Sequence, residues 1–329
     1  MLISQKAILG LCLLVNVSWV EAQQAQAFQP SVGINGKYNP VSTLSNYAGT
    51  IEQYGGEMQV RIPFFSTRSK ADSTKQTTFF QLAAQANASI ALVTISSILN
   101  QSELYGTSAG LTAALVKGHK NRFTLSLNAI NRGDQQMYAA FALRYSGVVN
   151  YKRIVSPGFS FNAGLAYSYL FGRGLALPVL GISTKLGKRS RLLIHFPNRV
   201  SYLQAVGTRL LLSASLKPQG GYYYVSNQLM NKEYPESFYL RLRETCLGIS
   251  AYYKIRSGFS INAEIGYLVR RNVRIASGMS KDDYLYENFT ASNNLVFGLG
   301  LKYRFIKKIK EDATELMKDP DFEYLMYEY

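Results

Sequence analysis

Alternation of apolar and polar residues with a period of two constrains this chain more than any other feature. Between Gly258 and Arg270, Phe259, Ile261, Ala263, Ile265, Tyr267 and Val269 share one parity. Ser260, Asn262, Glu264, Gly266 and Arg270 share the other, and Leu268 is the single exception. Successive side chains of a strand point to opposite faces, so such a run is a strand with one apolar and one polar face. The split recurs at 158–171, where Phe159, Phe161, Ala163, Leu165, Tyr167, Tyr169 and Phe171 alternate with small and polar residues. It recurs at 294–305, where Leu295, Phe297, Leu299, Leu301, Tyr303 and Phe305 do the same. A soluble sandwich alternates too. Here, however, the polar parity carries Gly, Asn, Lys, Arg and Glu in mid-strand, and the apolar parity ends in Tyr or Phe. A wet lumen and two interfacial girdles call for that distribution, which predicts an all-β transmembrane antiparallel barrel.

Composition agrees. The chain has 24 Tyr and 17 Phe against one Trp, and only 17% charged residues, below the roughly 25% of soluble domains. Residues 1–22 read as a secretory signal: Lys6, an apolar core from Ala7 to Val15, and small exits at Ala22, Ala25 and Ala27. The segment holds one Lys and one Glu, so its removal leaves the net charge of +16 unchanged. It also takes Cys12, leaving Cys246 with no intrachain disulfide partner. The longest later apolar stretch, Ile90 to Leu99, is interrupted by Thr94, Ser96 and Ser97, well short of the roughly 20 residues of a helical span. An exported chain without such spans, built of two-faced strands, is expected in the outer membrane of a Gram-negative bacterium. Its basicity then points to lipopolysaccharide phosphates, with Arg270, Arg271, Arg274 and Lys281 at the outer rim, and not to nucleic acid.

The expected strands are 57–65, 77–95, 103–117, 121–131, 137–151, 158–171, 175–187, 190–205, 209–226, 238–255, 258–271 and 293–305, about twelve within a range of about 10–14. Pro197 in the eighth, and Pro218 with Gly220-Gly221 in the ninth, sit awkwardly in a ladder. The organisation that follows is a signal over 1–22, a periplasmic lead-in over 23–55, the barrel over 56–306 and a periplasmic tail over 307–329. With the last strand descending, 256–258 is a periplasmic turn and 272–292 a long outer loop. The tail opens with the helix-forming run Lys307 to Lys318 and stops before Pro320. It reads either as a dock for a periplasmic partner or as a solvated terminus.

Gly298, Gly300, Tyr303 and Phe305 resemble the signal by which the barrel-assembly machinery recognises its clients, except that residues 306–329 follow where that signal usually ends the chain. On the assigned parities Glu57, Arg61, Arg122, Arg144, Glu264, Lys302 and Arg304 face the lumen, where they either set an ion preference or neutralise one another. Catalysis finds little support. Neither His119 nor His195 has a serine at the alternate position that would share its face, no His/Cys/Asp/Glu cluster has ligand spacing, and no glycine-rich phosphate loop precedes a helix. No catalytic residue, cofactor or metal is expected. The leading expectation is porin-like passage of small, anion-leaning solutes. Its alternative is a plugged barrel that anchors an envelope or secretion complex, and an outer-membrane lipid-modifying enzyme ranks third.

The runs Leu177-Pro178-Val179-Leu180-Gly181-Ile182-Ser183, Leu192-Leu193-Ile194-His195-Phe196-Pro197 and Arg209-Leu210-Leu211-Leu212 resemble an outer-membrane barrel family common in Bacteroidota, in which a Pro-opened strand precedes an apolar strand ending in Pro. A more distant similarity is to the barrels of the gliding and secretion machinery of that phylum. The resemblance implies the barrel fold and supplies no ligand and no catalytic residue.

The last strand yields a test. Phe305→Ala is expected to lower the amount of heat-modifiable, folded protein in outer-membrane fractions, whereas truncation after Ile306 is expected to do much less. Cold-versus-boiled gel mobility reads both. If truncation abolishes folding while Phe305→Ala does nothing, the closing strand lies elsewhere.

Overall fold

The computed structural model describes residues 31–44, 49–70, 77–96, 99–118, 120–134, 143–168, 174–226, 237–256, 258–277 and 285–305. Among them there are fifteen strands: β1 (Ser31–Thr43), β2 (Thr50–Lys70), β3 (Thr77–Ile95), β4 (Leu99–Lys117), β5 (Asn121–Gly133), β6 (Arg144–Ser156), β7 (Phe159–Ser168), β8 (Leu175–Lys185), β9 (Ser190–Phe196), β10 (Arg199–Val206), β11 (Leu210–Val225), β12 (Phe238–Arg256), β13 (Phe259–Ala276), β14 (Leu285–Ala291) and β15 (Asn294–Arg304). Chain neighbours pair antiparallel from β1 through to β14. The sheet closes because β1 pairs with β15 as well as β2, and β13 with β12 as well as β15. Both β14 and β15 lie against β13, as two halves of one strand broken at Ser292-Asn293. The wall therefore has 14 strands.

Two corrections account for the difference from about twelve. First, the expected lead-in is part of the wall from Ser31 onward: residues 31–43 are β1 and β2 begins at Thr50. Second, the expected strand 190–205 is two strands, because the chain turns at Pro197-Asn198. The expected outer loop 272–292 is also mostly ladder, since β13 runs to Ala276 and β14 resumes at Leu285. The signal, His119, Lys281 and the helical tail 307–329 lie outside the described residues.

Parity sorts the residues as alternation predicts. Leu299 (63% exposed), Ile265, Leu247, Leu165 and Leu127 point outward, while Lys302, Lys152, Asn262, Ser213 and Ser250 are buried on the inner face. Exposed Phe123, Phe159, Tyr253 and Tyr303 lie toward the end that carries Ser31 and Arg304. Exposed Tyr145, Tyr167, Tyr267 and Phe297 lie toward the other. Along β7, Phe159 and Tyr167 are eight residues apart, about 26 Å of strand and about 20 Å once tilted, close to the height of a bilayer's apolar band.

The taller strands continue past this belt. Above it the inner face becomes apolar: Tyr223 and Val225 of β11, Phe238, Leu240 and Leu242 of β12, Val273 and Ile275 of β13, and Phe289 of β14 pack against Ile51, Val93, Ile95 and Leu104 of β2 to β4. The outer end of β11 reaches across to β5, pairing Tyr224 with Gly133, while Asp134 N donates to Tyr224 O and Ser226 N to Asp134 Oδ2. β6 to β10 are left out of this narrower upper storey, which forms a lid over the barrel.

Two substitutions test these placements. Leu299→Arg is expected to cost roughly 2–4 kcal/mol in a bilayer refolding titration, as an arginine near mid-membrane on the lipid face does. Gly300→Ser on the inner face is not benign, because a Cβ there would run into Oδ1 of both Asn35 and Asn262. A smaller loss of folded protein than for Leu299→Arg is expected, and equal tolerance at both positions would contradict the assigned faces.

Candidate functional site

The lumen is the site. Its charged lining is built up by strand parity, and it is strongly basic. Arg122 and Lys152 face each other across β5 and β6, both buried. Arg191 at the start of β9 is buried and donates through Nη1 to Ser183 Oγ (3.2 Å), and Lys302 is buried on β15. Arg61 donates to Gln85 Oε1 (3.2 Å) and Glu57 accepts from Asn87 Nδ2. All of these lie below the lid. Higher up, Lys217 of β11 meets Glu264 of β13 at 2.7 Å, and Lys37 of β1 donates to Gln219 Oε1 of β11 at 2.6 Å. Neither pair is adjacent in the sheet, so each reaches past intervening strands.

The residues picked from the sequence are thus spread over the height of the barrel. Arg61, Arg122, Lys302 and Arg304 lie toward the chain termini. Glu57 and Glu264 sit at middle height. Arg144 is at the top of β6, stacked over the rings of Tyr222 (4.7 Å) and Tyr239 (5.0 Å). Arg304 closes the last strand, its N–H donating to Gly258 O (2.7 Å). Gly298 and Gly300 lie on the inner parity of β15, with Tyr303 outward and packed edge-on against Phe305 (4.8 Å). His195 is buried on the inner face of β9, opposite Gly181 of β8 and Arg199 of β10.

Sequence reasoning missed Lys37, Lys152, Arg191, Lys217, Glu244 and Arg271. The last two define the boundary between lumen and lid. Arg271 was expected at the outer rim with Arg270 and Arg274. Instead it is 1% exposed, with Nε 2.8 Å from Glu244 Oε1, Nη1 donating to Ser42 Oγ, and Nη1 3.1 Å from Ser292 O. Its inward turn has a backbone cause. A bulge places Arg270 and Arg271 opposite Glu244 alone, and Arg270 sits at φ 51° and points outward. At the same level β1 bulges between Asn39 and Ser42, β14 gives way to β15, and β11 passes Gly220 at φ 123°. Asn294 Nδ2 ties these together by donating to Pro40 O (3.1 Å), Val41 O (2.8 Å) and Ser42 Oγ (2.9 Å). A crease therefore runs across five neighbouring strands, with a buried ion pair at its centre.

Below the crease one stretch of wall is lined by small hydroxyls. Ser201, Ser213, Ser215 and Ser250 on β10 to β12 are buried, and among the described residues the Oγ atoms of Ser201, Ser213 and Ser215 have no hydrogen-bond partner. Buried hydroxyls of that kind are satisfied by water or by a solute. Cys246 is buried nearby, with Leu268 and Val296. Among the described residues no group of three or more His, Cys, Asp or Glu could hold a metal ion.

Residues 20–304 match the family described as "Domain of unknown function (DUF6268)", and the chain belongs to that family. No curated protein sequence matches it. Among solved structures it is similar to an outer-membrane channel from Pseudomonas putida F1, with 8% identity, coverage of 87% of this chain and 99% of that one, and a TM-score of 0.45. It is also similar to the TodX monoaromatic hydrocarbon channel (10% identity, 84% and 90% covered, TM-score 0.36) and to a FadL homologue from Pseudomonas aeruginosa (10%, 84% and 90%, 0.32).

The crease generates a prediction about stability. Glu244→Ala leaves Arg271 buried without its carboxylate and is expected to cost about 3–5 kcal/mol, while a double replacement of Glu244 by Leu and Arg271 by Met recovers most of that loss. Denaturant titration of the purified barrel in detergent checks both. If the double variant is no more stable than Glu244→Ala alone, the pair is not what holds the crease.

Proposed function

We propose that this member of the DUF6268 family lies in the outer membrane of a Gram-negative envelope, with its termini toward the periplasm, and gives small anionic solutes a passage along its lumen. The observation that carries the reading is the sign of the inner face. Lys37, Arg61, Arg122, Arg144, Lys152, Arg191, Lys217 and Lys302 point inward, against Glu57, Glu244 and Glu264. Within low-dielectric walls such an excess concentrates anions and repels cations. The height between the two aromatic levels supports a membrane setting, as does the outward display of Leu, Ile and Val. The reading assigns no catalytic step to the chain.

The apolar-cored lid favours a second reading, a barrel closed at its outer end that anchors an envelope or secretion complex. In that case residues 307–329 are the natural dock for a periplasmic partner. The assembly machinery would read the end of β15 in either case.

Planar-bilayer recording under a KCl gradient separates the readings. A small conductance that reverses on the chloride side is expected, and the double replacement of Arg122 and Lys152 by Gln is expected to move the reversal potential toward zero. A preference for potassium contradicts anion passage. A folded but silent barrel favours the anchor.

A further inference from the structure

We infer that the lumen opens sideways, over the β9–β10 hairpin and beneath the lid, and that this mouth admits single-chain amphiphiles bearing one acidic group. The inference rests on the proposed passage for its anionic half only; the mouth itself rests on separate observations.

The wall is low on one side. β9 has seven residues and β10 eight, whereas a membrane-crossing strand needs about 9–11. Seven residues make about 23 Å of strand and about 17 Å of height after tilting, short of the roughly 25 Å apolar band. The hairpin's tip thus stops below the outer edge of the band, and beside polar Asn198 and Arg199 it presents Phe196, 57% exposed, on its outer face.

The strands on either side rise past that tip without a partner between them. β8 pairs with β9 only over Leu180–Lys185, and β10 with β11 only over Leu210–Leu216. Among the described residues Leu175–Val179 of β8 have no strand partner on this side. The upper part of β11 leaves the wall and joins β5 through Tyr224. The lid and the low wall therefore frame a gap.

The gap has an apolar lip. Inward Leu193, Leu203 and Leu211 on β9 to β11 are buried, whereas at the top of β8 the alternation fails and the inward apolar side chains are only half-buried. Leu175, Leu177 and Val179 share the face of buried Gly181 and Ser183, while Ala176, Pro178 and Leu180 face out. A strand that is apolar on both faces is one that meets apolar matter on both. At this height, beside lipid, the inner face of β8 suits an acyl chain. Below it, cationic Arg191 and Lys152 suit an acidic group. A purely hydrophilic anion has no use for the lip, and a neutral hydrocarbon has none for the basic lining.

Single-tryptophan variants test the mouth, and the chain's one Trp, Trp19, is replaced by Phe for the purpose. In nanodiscs containing brominated phosphatidylcholine, Leu177→Trp is expected to lose fluorescence as Leu180→Trp does on the outer face. Asn87→Trp in the lumen is expected to be spared by the brominated lipid and quenched by iodide instead. Val179→Trp, on the same face as Leu177, serves if Leu177→Trp does not fold. A tryptophan at 177 or 179 that behaves like the one at 87 overturns the mouth. The ligand class is then tested with 12-bromododecanoate against 12-bromododecanol. The acid is expected to quench Trp at 177 at a concentration about tenfold lower, the ratio that one good charge interaction supplies. Equal potency overturns the acidic preference. A barrel silent to chloride whose Trp at 177 is still quenched by brominated lipid would sink the anion passage while leaving the mouth standing.

Discussion

Closure of the backbone ladder is the constraint on which the rest of this molecule depends. In hydrocarbon an unpaired N–H or C=O finds no water and costs several kcal/mol, so an open sheet edge cannot persist there. The seam between β1 and β15 removes that edge: Val32 lies opposite Val60 on one side and Tyr303 on the other. Once the sheet is a cylinder, every side chain is inside or outside, and chemistry follows parity. Leu299 and Lys302, three residues apart on β15, end up 63% and 3% exposed for no other reason.

In the proposed membrane setting, a strand taller than the bilayer meets a second constraint. Within the bilayer its apolar face must point out, toward lipid; above it the apolar face must point in, away from water. This chain makes that inversion in two ways. On β1, β13 and the β14–β15 strand the backbone does it: a bulge or break at Pro40-Val41, Arg270 or Ser292-Asn293 resets the phase by one residue. On β12 the backbone keeps its phase and the residue types change, so that Phe238, Leu240 and Leu242 share the inner face with Glu244, Cys246 and Ser250 below them. Arg271 and Glu244 meet where the two solutions adjoin, which is why a full ion pair is buried there. Ser42 Oγ and Ser292 O accept further hydrogen bonds from Arg271, which lowers the cost of burying its charge.

These constraints also decide what could be read from the sequence. Long alternation was sufficient where it occurs, since the runs at 158–171, 258–271 and 294–305 each hold a strand, and the expected 77–95 is β3 to the residue although Phe79-Phe80 and Ile90 to Val93 interrupt its alternation. β1 escaped because Val32, Ile34 and Tyr38 are its few outward apolar groups and Pro40 breaks the pattern before a fourth. Alternation continues through Pro197, so nothing but the proline itself marked the reversal that makes two strands of one. In the lumen, Arg122, Glu264 and Lys302 lie on clean alternating runs and their parity could be assigned. Lys37 lay on the overlooked strand, and Arg271 follows a bulge, past which the period no longer holds. The partnership of Lys217 with Glu264, two strands apart across the lumen, depends on barrel curvature, and no local pattern encodes it.

Curvature also links the lid to the low wall beneath it. A cylinder of fourteen strands is too wide for side chains to fill, whereas one of fewer strands can be packed solid. To close its outer end with an apolar core, the chain has to drop strands, and the Tyr224–Gly133 pairing drops β6 to β10. Those strands then have no reason to rise further: an extension would stand as an unpaired flap outside the lid. Among the described residues they stop, and β9 and β10 stop soonest. The unpartnered edge of β8 left by that ending needs protection from water and from stray strand pairing. A run that is apolar on both faces, with Pro178 denying a donor, is stable in a lipid setting and not in an aqueous one. The inversion that builds the apolar lid and the loss of alternation at Leu175–Leu180 are in this way two outcomes of one geometric step.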